Sequence, residues 1–340
     1  MEEDISAIYT PEVVELMRNC VYSTGNFCST FMPERFFRPF SSLHTKIFNA
    51  IDGIESQQIL ILAPRGFGKT STISIGYPAK QIVNRLCKYI VPVSATSTSA
   101  VLQSENLKSE LTTNESINVL YGPQKSDRWS TEFWVSSGGT AVMPRGAGQQ
   151  IRGLLFDRYR PDLILVDDLE TSEGVKSDEQ RAKLRNWFFS DLVNSVDRGS
   201  KDWKIVVIGT ILHEDCLLVH LKDDPEWAVI ELELCDDNLK SNWPDFMSDE
   251  GVLKLYEAYK SKGMLDTFYR EYRNKPIASE DATFRKDYFQ HHTEPLDSSI
   301  FRDMVNVIIV DPAKTVKMHS ADSAIVCVGV SRSTLKIYVR

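Results

Sequence analysis

A chain of 340 residues with 42% hydrophobic side chains can bury a sizeable core and is long enough for more than one domain. Its formal net charge of -8 argues against a protein that coats nucleic acid over its whole surface, while leaving room for a local basic track. No apolar run approaches the roughly 20 residues that span a bilayer, and the acidic start MEEDIS is not a signal peptide, so the expectation is a cytoplasmic chain with no membrane partner.

Residues 1–50 read as an N-terminal helical segment. IYTPEVVELMRNCVY spaces its apolar residues by three to four after a Thr-Pro start, which suits a lid or docking element. In FFRPFSSLHTKIFNAI, Phe40 and His44 are candidates for contact with a nucleotide base; a helix packed on a sheet accounts for them equally well. The cysteines (Cys20, Cys28, Cys87, Cys216, Cys235, Cys327) form no CxxC pair of the kind that binds zinc or cycles redox, and read as buried free thiols.

The chain is organised around residues 59–72, ILILAPRGFGKTST, an apolar strand that ends in a small-residue loop at the start of a helix. A helix N-terminus exposes unpaired N–H groups and a partial positive charge, so a loop wrapped there cradles a polyphosphate. The candidate cradle is Pro64, Arg65, Gly66, Phe67, Gly68, Lys69, Thr70 and Ser71. Its two glycines bring backbone close, Lys69 reaches the phosphates as a point charge, and the Thr70 hydroxyl ligates magnesium. The usual pattern has Gly at the first position of this loop, where Ala63 stands here. A helix follows over residues 72–85.

KYIVPVSA (88–95) reads as a second strand followed by a helix to about residue 111, and the strand, helix, strand, helix order predicts a parallel sheet. Residues 127–142 alternate enough for a hairpin. The loop GAGQQIRG (146–153), with Gln149, Gln150 and Arg152, is either a solvated connector or a nucleotide-sensing or DNA-contacting loop. RPDLILVDDLE (160–170) is a buried strand ending in acids, beside the phosphate loop in such a sheet. Asp167 would hold magnesium, and Asp168 or Glu170 would orient and deprotonate the attacking water. A capped helix spans 177–196. The strand WKIVVIGTIL ends at Gly209 and Thr210, and Thr210 is placed to sense the γ-phosphate.

A strand at 229–234, a polar linker at 236–249, helices over 251–274 and an extended arm follow. The last forty residues open a new pattern: NVIIV ends in Asp311, and SADSAIVCVGV places Asp322 at the start of the next strand. Two such acids begin a two-metal nuclease site, which needs at least about three carboxylates.

In this order the motifs resemble those of the large subunit of a tailed-bacteriophage terminase, the ATP-driven motor that packages viral DNA. The residues that carry the resemblance are APRGFGKT, QQIRG before RPDLILVDDLE, VVIGT, FYREYRNKPI and VDPAKT, within residues 35–340. The resemblance implies an α/β fold of the P-loop NTPase, additional-strand type, with a parallel sheet flanked by helices and the start of an RNase H-like α/β domain behind it. The domains expected are 1–50 helical, 51–245 ATPase, 246–300 helical hinge and 301–340 nuclease.

It further implies ATP and Mg2+ at Lys69, Thr70 and Asp167, with Arg65 answering to ATP, Asp168 or Glu170 as base, and Thr210 coupling hydrolysis to movement. Asp311 would be the first nuclease carboxylate, in a site for two divalent metals such as Mg2+ or Mn2+. That domain is expected to be unfinished at Arg340, and the chain as given is not expected to cut DNA. Implied partners are double-stranded DNA, the small terminase subunit, the capsid portal and further copies in a ring, in the host cytoplasm and transiently at the procapsid. Arg152, Arg158 and Arg160 are candidates for a finger offered to a neighbouring subunit. The alternatives are a helicase-like DNA translocase, or an ATP-binding switch or scaffold without turnover.

Overall fold

A computed structural model describes residues 9–275, 302, 304–311, 324–333 and 336–339. In chain order its first elements are α1 (Pro11–Tyr22), α2 (Thr24–Phe31), α3 (Ser42–Asp52), β1 (Gln58–Leu62), α4 (Tyr77–Val83), β2 (Tyr89–Ser94), α5 (Ser97–Thr113) and α6 (Glu115–Tyr121). Then come β3 (Lys125–Trp129), β4 (Trp134–Ser136), β5 (Ala141–Val142), β6 (Arg145–Gly146), β7 (Leu163–Asp167), α7 (Asp178–Trp187), β8 (Lys204–Gly209), α8 (Leu217–Asp223), β9 (Ala228–Glu231), α9 (Asp249–Lys260) and α10 (Leu265–Arg273). Three strands, β10 (Met304–Asp311), β11 (Ala324–Ser331) and β12 (Ile337–Val339), complete the described elements. The chain divides into two compact units, Met1–Glu280 and Asp281–Arg340.

The first unit is built on a nine-stranded, mostly parallel sheet in the order β3-β4-β5-β2-β7-β8-β1-β9, with β6 also beside β2. Every residue of β1, β2 and β7 is buried, as aliphatic runs require when helices cover both faces. Successive side chains alternate between two cores. Ile59 and Ile61 meet the layer formed by α2, α3, α5, α9 and α10, whereas Leu60 and Leu62 meet that of α7 and α8. Strand β8 lies between β1 and β7, which makes it the additional strand of the sheet.

Pro92 sits in the middle of β2, where a missing N–H normally breaks a ladder. It pairs with Leu165 on the β7 side. On the other side the neighbouring strand is interrupted, β5 ending opposite Ile90 and β6 resuming opposite Val93, so no partner is left without its donor there.

Local chemistry fixes the helix starts. Thr10 and Ser177 cap α1 and α7 with their side chains, Pro11 opens α1, and Ser41 and His44 form a reciprocal capping box on α3. The helix expected over 72–85 opens with a π-helical turn, Ser71–Gly76, before α4. The hairpin expected over 127–142 is a three-stranded antiparallel meander, β3-β4-β5.

Two segments outside the sheet are tied to it by packing. In the N-terminal segment, Cys20, Phe27, Phe31, Ile47 and Ile51 lie in the core on one face of the sheet. The polar linker after residue 235 carries Trp243, which is buried, donates from Nε1 to Pro39 O at 3.0 Å and stacks on Phe246.

In the second unit β10, β11 and β12 form an antiparallel meander, in register from Met304 opposite Ser331 to Asp311 opposite Ala324. The arm after Lys275 and Asp322 lie outside the described residues. Among the described residues no helix is long and apolar enough to cross a membrane.

Candidate functional site

Strands β1, β8 and β7 are adjacent and parallel, so their C-terminal ends stand side by side. Leu62 is in register with Gly209, and Asp167 with Ile208. The residues that follow each strand therefore converge. Lys69 Nζ, from the loop after β1, donates to Asp168 Oδ1 at 3.1 Å and to Thr210 Oγ1 at 3.0 Å. Around this junction lies a cavity of about 260 Å³ whose walls include Arg65, Lys69, Asp168, Glu170, Thr210 and Glu271.

The loop itself is shaped by two left-handed glycines, Gly66 (φ 86°) and Gly68 (φ 65°). A Cβ on Gly68 would meet nothing within 4 Å, so the backbone there faces open space. Gly68 O accepts from Thr72 N at 2.9 Å, which starts the helix, and Arg65 N donates to Glu271 O at 3.0 Å, which ties the loop to α10. Thr70 and Ser71 are half-buried at the head of the π-helical turn, and Pro64 is buried.

The three acids have three environments. Asp167 is 1% exposed; its Oδ2 accepts from Ser74 Oγ at 3.0 Å and Gln103 Nε2 at 3.2 Å, while its buried Oδ1 has no hydrogen-bond partner among the described residues. Burial, then the neighbouring Asp168 carboxylate, raises its pKa to about 6 against the pull of Thr70, Ser74 and Lys69. Asp168 is exposed and holds a left-handed φ of 45°. Glu170 is half-buried: Oε1 accepts from Leu217 N at 2.9 Å, and Oε2 is buried without a partner among the described residues. Burial raises the Glu170 carboxyl, opposed by the amides at the start of α8.

Phe67 turns away from the cavity. It is buried in an aromatic cluster, stacked on His44 at 6.0 Å and edge-on to Trp243 at 5.3 Å. Phe40 packs edge-on against Phe48 at 4.8 Å and lines, with His44, Phe36 and Arg38, a small cavity of about 80 Å³ behind the loop. His44 Nδ1 serves the α3 cap and Nε2 lies 3.4 Å from Phe67 O; burial holds its pKa down, with that carbonyl opposing.

The candidate arginines separate. Arg158 and Arg160 are exposed and line a cavity with Lys88, Asp162 and Asp202, the residues just before β2, β7 and β8, at the edge of the sheet opposite Lys69. Arg152 is also exposed and follows the loop after β6, past the C-terminal end of β2. Gln149 is used within that loop, its Oε1 accepting from Gly146 N at 2.7 Å and its carbonyl from Trp187 Nε1 at 2.9 Å. Asp311 ends β10 in the second unit.

Sequence reasoning missed Ser74, Gln103 and Glu271. Ser74 left a trace, a polar residue in an otherwise apolar helical run; Gln103 and Glu271 left none.

The sheet with its additional strand, and the polar cavity where its central strands end, define a mostly parallel α/β fold with a site at the carboxyl edge. No family model and no curated protein matches the sequence. Among solved structures, the crystal structure of the HK97 bacteriophage large terminase is similar, with a TM-score of 0.50 and 14% identity over 94% of this chain and 67% of that one. The ATPase domain of the Thermus phage P74-26 large terminase aligns with a TM-score of 0.48 and 11% identity, over 73% of this chain and 98% of that one. The fold is that of a phage large terminase.

Proposed function

We propose that the chain is the ATP-hydrolysing motor of a DNA-packaging machine, acting on double-stranded DNA. The observation that carries this reading is Lys69, whose ammonium joins the ends of β7 and β8 through Asp168 and Thr210. A lysine at the exit of a glycine loop, facing acids from the neighbouring strands, is the arrangement that positions a polyphosphate for in-line attack.

The residues present fit ATP and Mg2+. The open face at Gly68 admits phosphate against the backbone, and Lys69 supplies the charge. Thr70 and Asp167 would hold magnesium, and the unpartnered, buried Oδ1 of Asp167 is an oxygen that lacks a ligand in this fold. When bound, magnesium would neutralise charge developing on the transferred phosphoryl group. Glu170 is the better base: its unpartnered Oε2 and its raised pKa suit it to take a proton from water, whereas Asp168 is engaged by Lys69. Asp168 then orients Lys69, and Thr210 reports the state of the phosphate to the segment after β8.

Arg152 is the favoured finger for a neighbouring copy, because Arg158 and Arg160 lie at the far edge of the sheet. With this reading we propose a ring of copies docked on a portal, with a small subunit as partner. Asp311, at the end of β10, is proposed as the first acid of a two-metal nuclease site that needs further carboxylates.

The test is steady-state ATP hydrolysis by the chain with and without linear double-stranded DNA, beside Lys69→Ala. Turnover that DNA stimulates and the variant abolishes is expected. Turnover that survives Lys69→Ala would overturn the site, and ATP binding without any turnover would favour a switch module.

A further inference from the structure

The segment between β8 and α8 is held at three points. Its first residue, Thr210, accepts from Lys69 Nζ at 3.0 Å. Near its end Asp215 is gripped by α7 and α8: Oδ2 accepts from Arg181 Nε at 3.0 Å, Oδ1 from Arg185 Nη1 at 3.1 Å, and His220 Nε2 lies 2.8 Å from Oδ1. Two residues further on, Leu217 N donates to Glu170 Oε1.

Each point constrains the next. Leu217 opens α8, whose cap residue Cys216 offers no side-chain acceptor, so the Glu170 carboxylate satisfies an amide that the first turn leaves free. The direction of Glu170 is thereby set by the position of that amide. The amide is in turn set by Asp215, because Arg181 is itself fixed, its guanidinium buried and bonded to Val175 O and Asp178 as well. His220 first, then Arg181 and Arg185, hold the Asp215 carboxyl at about 2, so the grip is ionic across the physiological range.

We propose that Asp215 is a positioning residue for ATP hydrolysis: anchored by Arg181 and Arg185, it places the Leu217 amide, which fixes the carboxylate of Glu170, a residue lining the cavity beside Lys69. This rests on the reading of Glu170 as the base. Displacement of a reacting group by about 1 Å can cost on the order of a hundredfold in rate, so a modest relaxation of α8 is enough to matter.

Asp215→Asn keeps the shape of the side chain and removes its charge. The expected result is a fall in kcat of about tenfold or more with the Kd for ATP within about twofold, and faster amide hydrogen exchange over residues 215–218. Arg185→Gln, which leaves the buried Arg181 pair in place, is expected to give a smaller loss of the same kind. In a Glu170→Gln background, single-turnover rates should show no further loss from Asp215→Asn, because residues that act through one another are not additive. A merely structural role would slow both backgrounds alike, and that result would overturn the proposal, as would unchanged kcat or unchanged exchange in Asp215→Asn. Absence of turnover in the unaltered chain with DNA would instead overturn the reading of the site on which the proposal stands.

Discussion

Lys69 and Asp168, 99 residues apart, meet at 3.1 Å, the lysine side chain 13% exposed and the aspartate side chain 54%. Asp168 reaches it from a left-handed backbone, a conformation that costs a non-glycine residue on the order of 1 kcal/mol or more and tends to persist where function requires it. Glu170, two residues on, accepts from Leu217 N with Oε1, and its Oε2 has no partner among the described residues.

These environments predict unequal roles. Glu170→Gln is expected to lower kcat by roughly 10²- to 10⁴-fold, the usual yield of general base catalysis, with ATP still bound. Asp168→Asn, which tolerates the same backbone and loosens Lys69, is expected to lose less kcat and to weaken ATP binding. Parallel kinetics and nucleotide titrations would check this. Equal, mild effects would mean that neither is the base.

Asp167 gives a prediction about stability. Its carboxyl titrates near 3.8 when unfolded and at about 6 in the fold, chiefly because it is buried. Between about pH 4 and 6 the folded chain therefore binds the extra proton, and stability falls as pH rises through that window, then levels. A gap of about two pH units corresponds to at most about 3 kcal/mol. Asp167→Asn should remove this carboxyl's share of the slope and raise stability at pH 8 by roughly 1 to 3 kcal/mol while abolishing ATP turnover, since its amide would occupy the place of the unpartnered Oδ1. Urea melts at pH 4.5 and 8 would show it; a variant less stable at pH 8 would contradict the burial argument.

Much of this site was legible because its parts are local. The strand, glycine loop and lysine of residues 59–72, and the acids after β7, are contiguous patterns with one period and one chemistry. What could not be read is what separates them in sequence and joins them in space. Asp167 takes its bonds from Ser74 and Gln103, and Glu170 takes its from α8. Phe67 lies within the glycine loop in sequence, and its ring belongs to a cluster with Trp243 and Phe246 that only the tertiary fold assembles. The proposal of Glu170 over Asp168 as the base rests on such contacts; spacing alone leaves both open.

If ATP hydrolysis belongs to the first unit, as proposed, Asp311→Ala leaves it within about twofold of the unaltered chain. Asp311 ends β10 in the unit Asp281–Arg340, whereas the described residues that line the cavity at Lys69 belong to Met1–Glu280. Loss of turnover in this variant would mean that the ATPase reading has been drawn on too short a stretch of chain.

The two loop glycines should fail differently. Gly66 and Gly68 both have positive φ, so alanine at either is strained by about 1 to 2 kcal/mol. At Gly66 the new Cβ would also come within 2.5 Å of Phe246 Cζ, and that ring is wedged against Phe67 and Trp243. Gly66→Ala is therefore expected to destabilise by about 2 to 4 kcal/mol, a combination of strain and overpacking, and Phe246→Leu in the same chain should recover part of it. At Gly68 the Cβ meets nothing, so the fold should lose only the strain, but the methyl would stand on the face offered to phosphate. Gly68→Ala is expected to raise KM for ATP at least tenfold while lowering the melting temperature by only the few degrees that the backbone strain costs. If KM is unmoved, the loop is a structural turn and the phosphate must lie elsewhere.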